Sequence, residues 1–190
     1  MTDYRDLASR FSLVFDLDGT LVDSAPDLQA AVNTVLASHG LRHISIEETQ
    51  EFIGDGMPKL CERALKATGG PADIQEAFYG AFKTRYMSEP AVKTKPMRAV
   101  RETLVIAKDA SFAMGVCTNK SEPVAETILN ELQLMAFFTD YVGSMPDRAL
   151  KPDPEPLLLC AERIETGDRQ AVLVGDSVAD VKAAHTSRKQ

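Results

Sequence analysis

The chain has 190 residues, of which 44% are hydrophobic, and a net charge of −7 from 21 Lys and Arg against 28 Asp and Glu. That length suits one α/β domain or one domain carrying an insertion. An acidic chain with no dense Lys/Arg run is a poor fit to general nucleic-acid binding, and no apolar run approaches the ~18 residues of a membrane span. Met1–Asp6 lacks the layout of a signal peptide, and Cys61, Cys117 and Cys160 read as widely spaced, buried free thiols. The expected location is therefore the cytoplasm, with neither disulfides nor a zinc site.

Taken in order, Leu13-Val14-Phe15 is a short apolar run of the kind that forms a buried strand, and it leads into Asp16-Leu17-Asp18-Gly19-Thr20. Ser24, with Pro26 in the first turn and Asp27 three residues on, predicts a capping box for a helix carrying Leu28, Ala31, Val32, Val35 and Leu36 on one face and ending at Gly40. Ser45 with Glu48 is a second start signal, running to Phe52-Ile53. Gly54-Asp55-Gly56 breaks the pattern, and Pro58 opens a third helix with Leu60, Cys61, Ala64 and Leu65 inward. Asp73 is placed to cap a fourth, with Ile74, Ala77, Phe78, Ala81 and Phe82 on one face. Residues 23–95 thus read as an all-α insertion. From 96 onward strands and helices alternate: a helix over 100–108, a strand over 112–117 ending at Thr118-Asn119, and a helix capped by Ser121. A strand at 140–143, a helix over 154–164 and a strand at 171–174 follow, the last leading to Gly175-Asp176. Such alternation predicts a parallel sheet covered on both faces, with ligands outside the carboxyl ends of its strands. The expected architecture is a three-layer, Rossmann-like α/β core of residues 1–22 and 96–190 with the all-α segment inserted.

Every polar cluster falls at such a strand end. Asp16 and Asp18 crowd two carboxylates, a conflict that a hard cation with oxygen ligands, Mg²⁺, resolves. Gly19 allows a tight turn and close approach of the backbone to a ligand. Asp176 is a third oxygen ligand. The Thr118 hydroxyl, with nearby backbone N–H groups at a helix N-terminus, suits an anion. Lys151 offsets charge on a transferring group, and Asp180, three residues after Ser177, can serve the site or a capping box. These parts fit phosphoryl transfer, which relies on positioning and charge neutralisation.

Asp16-Leu17-Asp18-Gly19-Thr20, Thr118-Asn119, Lys151-Pro152 and Gly175-Asp176-Ser177 with Asp180 resemble the four motifs of the haloacid dehalogenase superfamily of phosphatases. Within it, Asp23–Leu28, Gly54-Asp55-Gly56 and the stretch from Lys151 to Leu157 look most like phosphoglycolate phosphatases. The resemblance implies that Asp16 is the nucleophile, Asp18 the general acid and base, and Lys151 the neutralising cation. It implies phosphate binding by Thr118, Asn119 and Gly19, and Mg²⁺ held by Asp16, the Asp18 carbonyl and Asp176, with Asp180 supporting. It makes residues 23–95 an α-helical cap whose Phe52 and Gly54-Asp55-Gly56 loop touch the substrate's non-phosphate end. The expected substrate is a small phosphorylated metabolite, 2-phosphoglycolate first. The alternatives are a sugar phosphate, a nucleotide or pyrophosphate for a relative with another cap, or a non-catalytic phosphate- or partner-binding protein. Two departures stand out. Relatives turn on a Pro-Gly pair where this chain has Pro96-Met97-Arg98-Ala99, and they continue past the fourth motif where this chain ends in the polar stretch 183–190. The latter leaves the strand before Asp176 as a sheet edge, with lower stability or dimerisation expected through it; the expected state is a monomer or homodimer.

Overall fold

The computed structural model describes residues 4–187. Met1–Asp3, within the stretch tested for a signal peptide, and 188–190, within the polar tail, lie outside the described residues. The chain divides into two compact units, Met1–Val22 with Pro96–Gln190, and Asp23–Lys95.

The first unit begins with a helix the sequence reading missed, α1 (Tyr4–Arg10), which buries only Ala8 and so leaves little apolar periodicity to detect. Strand β1 (Phe11–Phe15) follows, and the chain leaves the unit through β2 (Val22–Asp23). In the second unit α2 (Ala25–Ser38) buries Leu28, Ala31, Val32, Val35 and Leu36, the stripe expected. Its start is not the expected capping box. Ser24 makes no side-chain cap hydrogen bond, and the Ala25 N–H donates to Asp23 Oδ1 instead. Asp27 turns inward, where its carboxylate accepts from the backbone N–H groups of Lys93 and Thr94 and from the Thr94 hydroxyl. Helix α3 (Ile46–Phe52) does carry its box: Ser45 Oγ accepts from the Glu48 N–H and Glu48 accepts from the Ser45 N–H. Helix α4 (Met57–Thr68) has Pro58 in its first turn and ends on left-handed Gly69. Asp73 caps nothing; it sits in a 3₁₀ turn, Ala72–Ile74, ahead of α5 (Gln75–Ser88). The buried stripe of α5 is Phe78, Phe82 and Tyr86, while Ala77 and Ala81 face solvent.

The chain returns to the first unit through β3 (Lys95–Pro96) and enters α6 (Val100–Asp109). Ala99, at the N-cap, takes a left-handed conformation with φ 62°. Glycine adopts that conformation without penalty, whereas the Cβ of an alanine is strained there. Strand β4 (Met114–Ser121) starts two residues later and runs four residues further than expected. It leads directly into α7 (Glu122–Glu131), where Ser121 supplies no side-chain cap. Strand β5 (Asp140–Ser144), α8 (Glu155–Arg163), β6 (Gln170–Val174) and α9 (Val178–Ser187) complete the unit.

The sheet has the order β5-β4-β1-β6, and the pairs are parallel. Neighbouring residues of a strand point to opposite faces. Val142 of β5 packs with Val14, Cys117, Leu157, Cys160 and Ile164, on the α8 side. Next to it, a side chain on Gly143 would come within 2.5 Å of the Glu122 backbone, on the α7 side. Helices therefore cover both faces, and the core is the expected three-layer α/β arrangement. Strand β6 lies at an edge. The cysteines are free and buried, and among the described residues no helix is long and apolar enough to cross a membrane.

Candidate active site

Register brings the polar strand ends together. Phe15 is level with Val174 of β6 and Val116 of β4, so Asp16 emerges beside Cys117 and Gly175. The Asp16 N–H extends the ladder by one more bond, to Val174 O at 2.9 Å. The loop then closes on itself: the Leu21 and Val22 N–H groups donate to Leu17 O, and the Gly19 N–H donates to Val22 O.

Asp16 is 8% exposed, and its Oδ1 lies 2.9 Å from Lys151 Nζ. The same ammonium donates to Asp180 Oδ1 at 2.6 Å and to Cys117 O at 2.7 Å. Burial pushes the Asp16 carboxyl up to about 6; Lys151 pulls it down, and Asp180 and Asp18 push it further up. Burial works against the Lys151 charge too, yet the flanking carboxylates hold its pKa above the ordinary lysine value. A carboxylate desolvated this far keeps its charge only with a cation beside it.

Asp180 fills both of the roles considered from sequence. One oxygen takes Lys151, while the other accepts from the Ser177 N–H and hydroxyl, and the Asp180 N–H donates back to Ser177 Oγ. Although burial opposes it, the Lys151 and Ser177 partners hold the Asp180 carboxyl below its usual range. Gly175 makes room for this carboxylate, since a side chain there would reach within 2.5 Å of it.

Asp176 is exposed and accepts from the Thr20 hydroxyl at 3.0 Å. One carboxylate oxygen each from Asp16, Asp176 and Asp180 lies within 4.8 Å of the others, a spacing that suits one metal ion. Gly19, expected on the phosphate, makes room for this cluster. Its N–H is taken by Val22 O, its φ is +83°, and a side chain on it would come within 2.3 Å of Asp176 Oδ2.

The Asp18 carboxylate goes elsewhere, to Lys120, whose Nζ donates to both oxygens at 2.9 and 3.0 Å. Sequence reasoning missed Lys120 because it ended the strand at residue 117, whereas β4 runs on through Ser121, with an irregularity in its pairing to β5 between Cys117 and Ser121. The Thr118 hydroxyl accepts the Lys120 N–H at 3.1 Å and keeps its own proton to donate. Asn119 was expected on the phosphate. Its side chain instead clips the Lys151 backbone, Nδ2 donating to Lys151 O and Oδ1 accepting the Lys151 N–H, both at 2.8 Å.

Phe52, Gly54, Asp55 and Gly56 lie in the helical unit. Arg63, also missed from sequence, organises that loop by donating to Phe52 O and pairing with the Asp55 carboxylate.

The model of the haloacid dehalogenase-like hydrolases matches residues 13–188. A phosphoglycolate phosphatase of Cereibacter sphaeroides is 36% identical over 179 residues, covering 92% of this chain and 80% of that protein. One of Aquifex aeolicus is 34% identical over 171 residues, 90% of this chain and 78% of that protein. The crystal structure of a predicted phosphoglycolate phosphatase from Haemophilus somnus superposes with a TM-score of 0.84 at 28% identity, covering 99% of this chain and 84% of the other. Phosphatases of this family generally use Mg²⁺ and act on small phosphorylated substrates. With one carboxylate held by a buried ammonium at the end of β1, a metal-sized acidic cluster beside it and a match spanning almost the whole sequence, this chain belongs to the haloacid dehalogenase-like hydrolases.

Proposed function

We propose that the chain is a Mg²⁺-dependent phosphomonoester hydrolase that works through an aspartyl-phosphate on Asp16, with 2-phosphoglycolate as its first substrate. The observation that carries this reading is the placement of Asp16, buried, 2.9 Å from the Lys151 ammonium and inside a cluster with Asp176 and Asp180. Three carboxylates against one ammonium leave two negative charges, which a divalent cation balances. Both oxygens of Asp180 are occupied by Lys151 and Ser177, so Asp16, Asp176 and the Asp18 carbonyl would hold Mg²⁺ and Asp180 would support it. Bound there, the cation supplies charge neutralisation to the phosphoryl oxygens. Asp16 attacks phosphorus, and Lys151 offsets the charge that spreads over the group in transit. Asp18 gives a proton to the leaving oxygen and afterwards takes one from the hydrolytic water. Thr118 donates its hydroxyl proton to a phosphoryl oxygen. Choice of the non-phosphate end falls to the helical unit through Phe52 and the Gly54–Gly56 loop that Arg63 holds in shape. The named relatives support 2-phosphoglycolate, and buried free thiols support a reducing compartment, the cytoplasm.

The test is a panel of phosphate esters, including 2-phosphoglycolate, sugar phosphates, nucleotides and pyrophosphate, assayed with and without Mg²⁺ for the parent chain and Asp16→Asn. Turnover should be fastest on 2-phosphoglycolate, require Mg²⁺ and vanish in the variant. Preference for another ester overturns the substrate, and activity that survives Asp16→Asn overturns the mechanism.

A further inference from the structure

Two carboxylates leave the end of β1 and each finds its own buried lysine, Asp16 with Lys151 and Asp18 with Lys120. The second pair is absent from the account of the site that motif positions supply. The Lys120 side chain is 3% exposed and that of Asp18 is 15% exposed. A lysine buried to this degree is retained only where a carboxylate meets it with good geometry. Here the contact is two-pronged, one ammonium to both carboxylate oxygens.

Both ends of this pair are anchored by backbone. On the lysine side, the strand continues through residue 120 and the Lys120 N–H is tied to the Thr118 hydroxyl, which fixes where the stem begins. On the aspartate side, three hydrogen bonds close the loop over residues 17–22 and leave the Asp18 side-chain torsions as the remaining freedom. The two-pronged contact removes that freedom. A group that passes a proton to or from a reacting oxygen has to be held within hydrogen-bond reach of it.

We infer that Lys120 is a positioning residue for proton transfer by Asp18. The inference rests on Asp18 being the acid and base proposed above. In the first half-reaction the bond from Asp16 Oδ to phosphorus forms, the ester P–O bond breaks, and the Asp18 proton goes to the leaving oxygen. Lys120 holds the carboxylate so produced in one orientation. In the second half-reaction a water oxygen bonds to phosphorus, the Asp16–phosphorus bond breaks, and the water proton goes to that same carboxylate.

The experiment compares two esters in single turnover, with enzyme in excess. The first is 2-phosphoglycolate, whose alkoxide leaving group needs a proton. The second is 4-nitrophenyl phosphate, whose leaving group does not. Lys120→Met, which keeps an apolar stem of similar length, should slow release of the alcohol by about tenfold or more beyond its effect on release of nitrophenolate. Lys120→Arg, which retains the charge, should recover part of that difference. Asp18→Asn should show the same discrimination, and adding Lys120→Met to it should bring little further loss, because the lysine acts through the aspartate. If Lys120→Met does not fold, Lys120→Leu, which likewise removes the donor and keeps an apolar side chain, is read in the same way. Equal loss on both esters, or no loss on either, overturns the inference. If Asp18→Asn discriminates between the esters and the Lys120 variant does not, the inference alone falls. If Asp18→Asn shows no discrimination, the acid-base reading of Asp18 falls and takes the inference with it.

Discussion

Both units bury aspartates, and Asp16 of the first and Asp27 of the second meet different partners. Asp16, at the end of β1, is 8% exposed and faces an ammonium; Asp27, in the first turn of α2, is 5% exposed and faces two backbone N–H groups and a hydroxyl. Backbone donors fixed by the fold make Asp27 a clasp between the start of the helical unit and its last residues, with its oxygens fully engaged. A lysine partner offsets the charge of Asp16 but leaves the carboxylate desolvated and beside other carboxylates, which is why it sits at about 6. Burial alone does not decide where a carboxyl titrates: Asp180 is buried against the same ammonium, yet Lys151 and the Ser177 donors outweigh burial and hold it below its usual range.

The largest effect expected from breaking this contrast is on the Asp16 side. Lys151→Met removes the ammonium shared by Asp16 and Asp180, and kcat on the best ester of the panel should fall about a hundred- to a thousandfold. Steady-state kinetics on protein verified as folded by circular dichroism checks it. On the other side, Asp27→Ala strands two N–H groups and should lower unfolding free energy by about 2–4 kcal/mol, read by chemical denaturation. If it instead abolishes turnover without destabilising the protein, the division between clasp and reactive carboxylate is wrong.

Smaller effects sharpen the comparison at two helix starts. Ala99 opens α6 in a left-handed conformation that suits glycine, so Ala99→Gly should raise stability by roughly 0.5–1 kcal/mol in thermal unfolding. Helix α3 opens with a complete capping box, and there the prediction concerns pH. The Arg42 hydrogen bond, helped by the Ser45 N–H, holds the Glu48 carboxyl at about 2 against an ordinary 4.5. Because the folded value lies below the unfolded one, the contribution of Glu48 is fully present above the ordinary value and is lost as pH falls through about 2. Acid titration followed by far-ultraviolet circular dichroism should show a small loss over that window, absent from Glu48→Gln.

Much of the site was legible because its signals are local. An apolar run ending in Asp16 marks a strand end, and pairs three residues apart, Ser45 with Glu48 and Ser177 with Asp180, mark helix starts that the structure bears out. The same rule failed at Ser24 and Asp27. The spacing was right, but the two N–H groups that win Asp27 come from 66 and 67 residues away. The partner of the Asn119 side chain was out of reach for the same reason, since the Lys151 backbone it clips lies 32 residues away.

By itself, then, the sequence determined the alternation of strands and helices, the helical insertion after β1 and which residue types gather at the carboxyl ends of the sheet. All of these follow from periodicities and turn chemistry acting over a few residues. Only the tertiary structure decided which lysine answers which carboxylate. Lys120 reaches Asp18 across 102 residues of chain, because β4 runs on past Thr118 and carries its side chain into the site. Ion-pair partners are chosen by strand register and by the exact length of a strand, and no window of neighbouring residues contains that information.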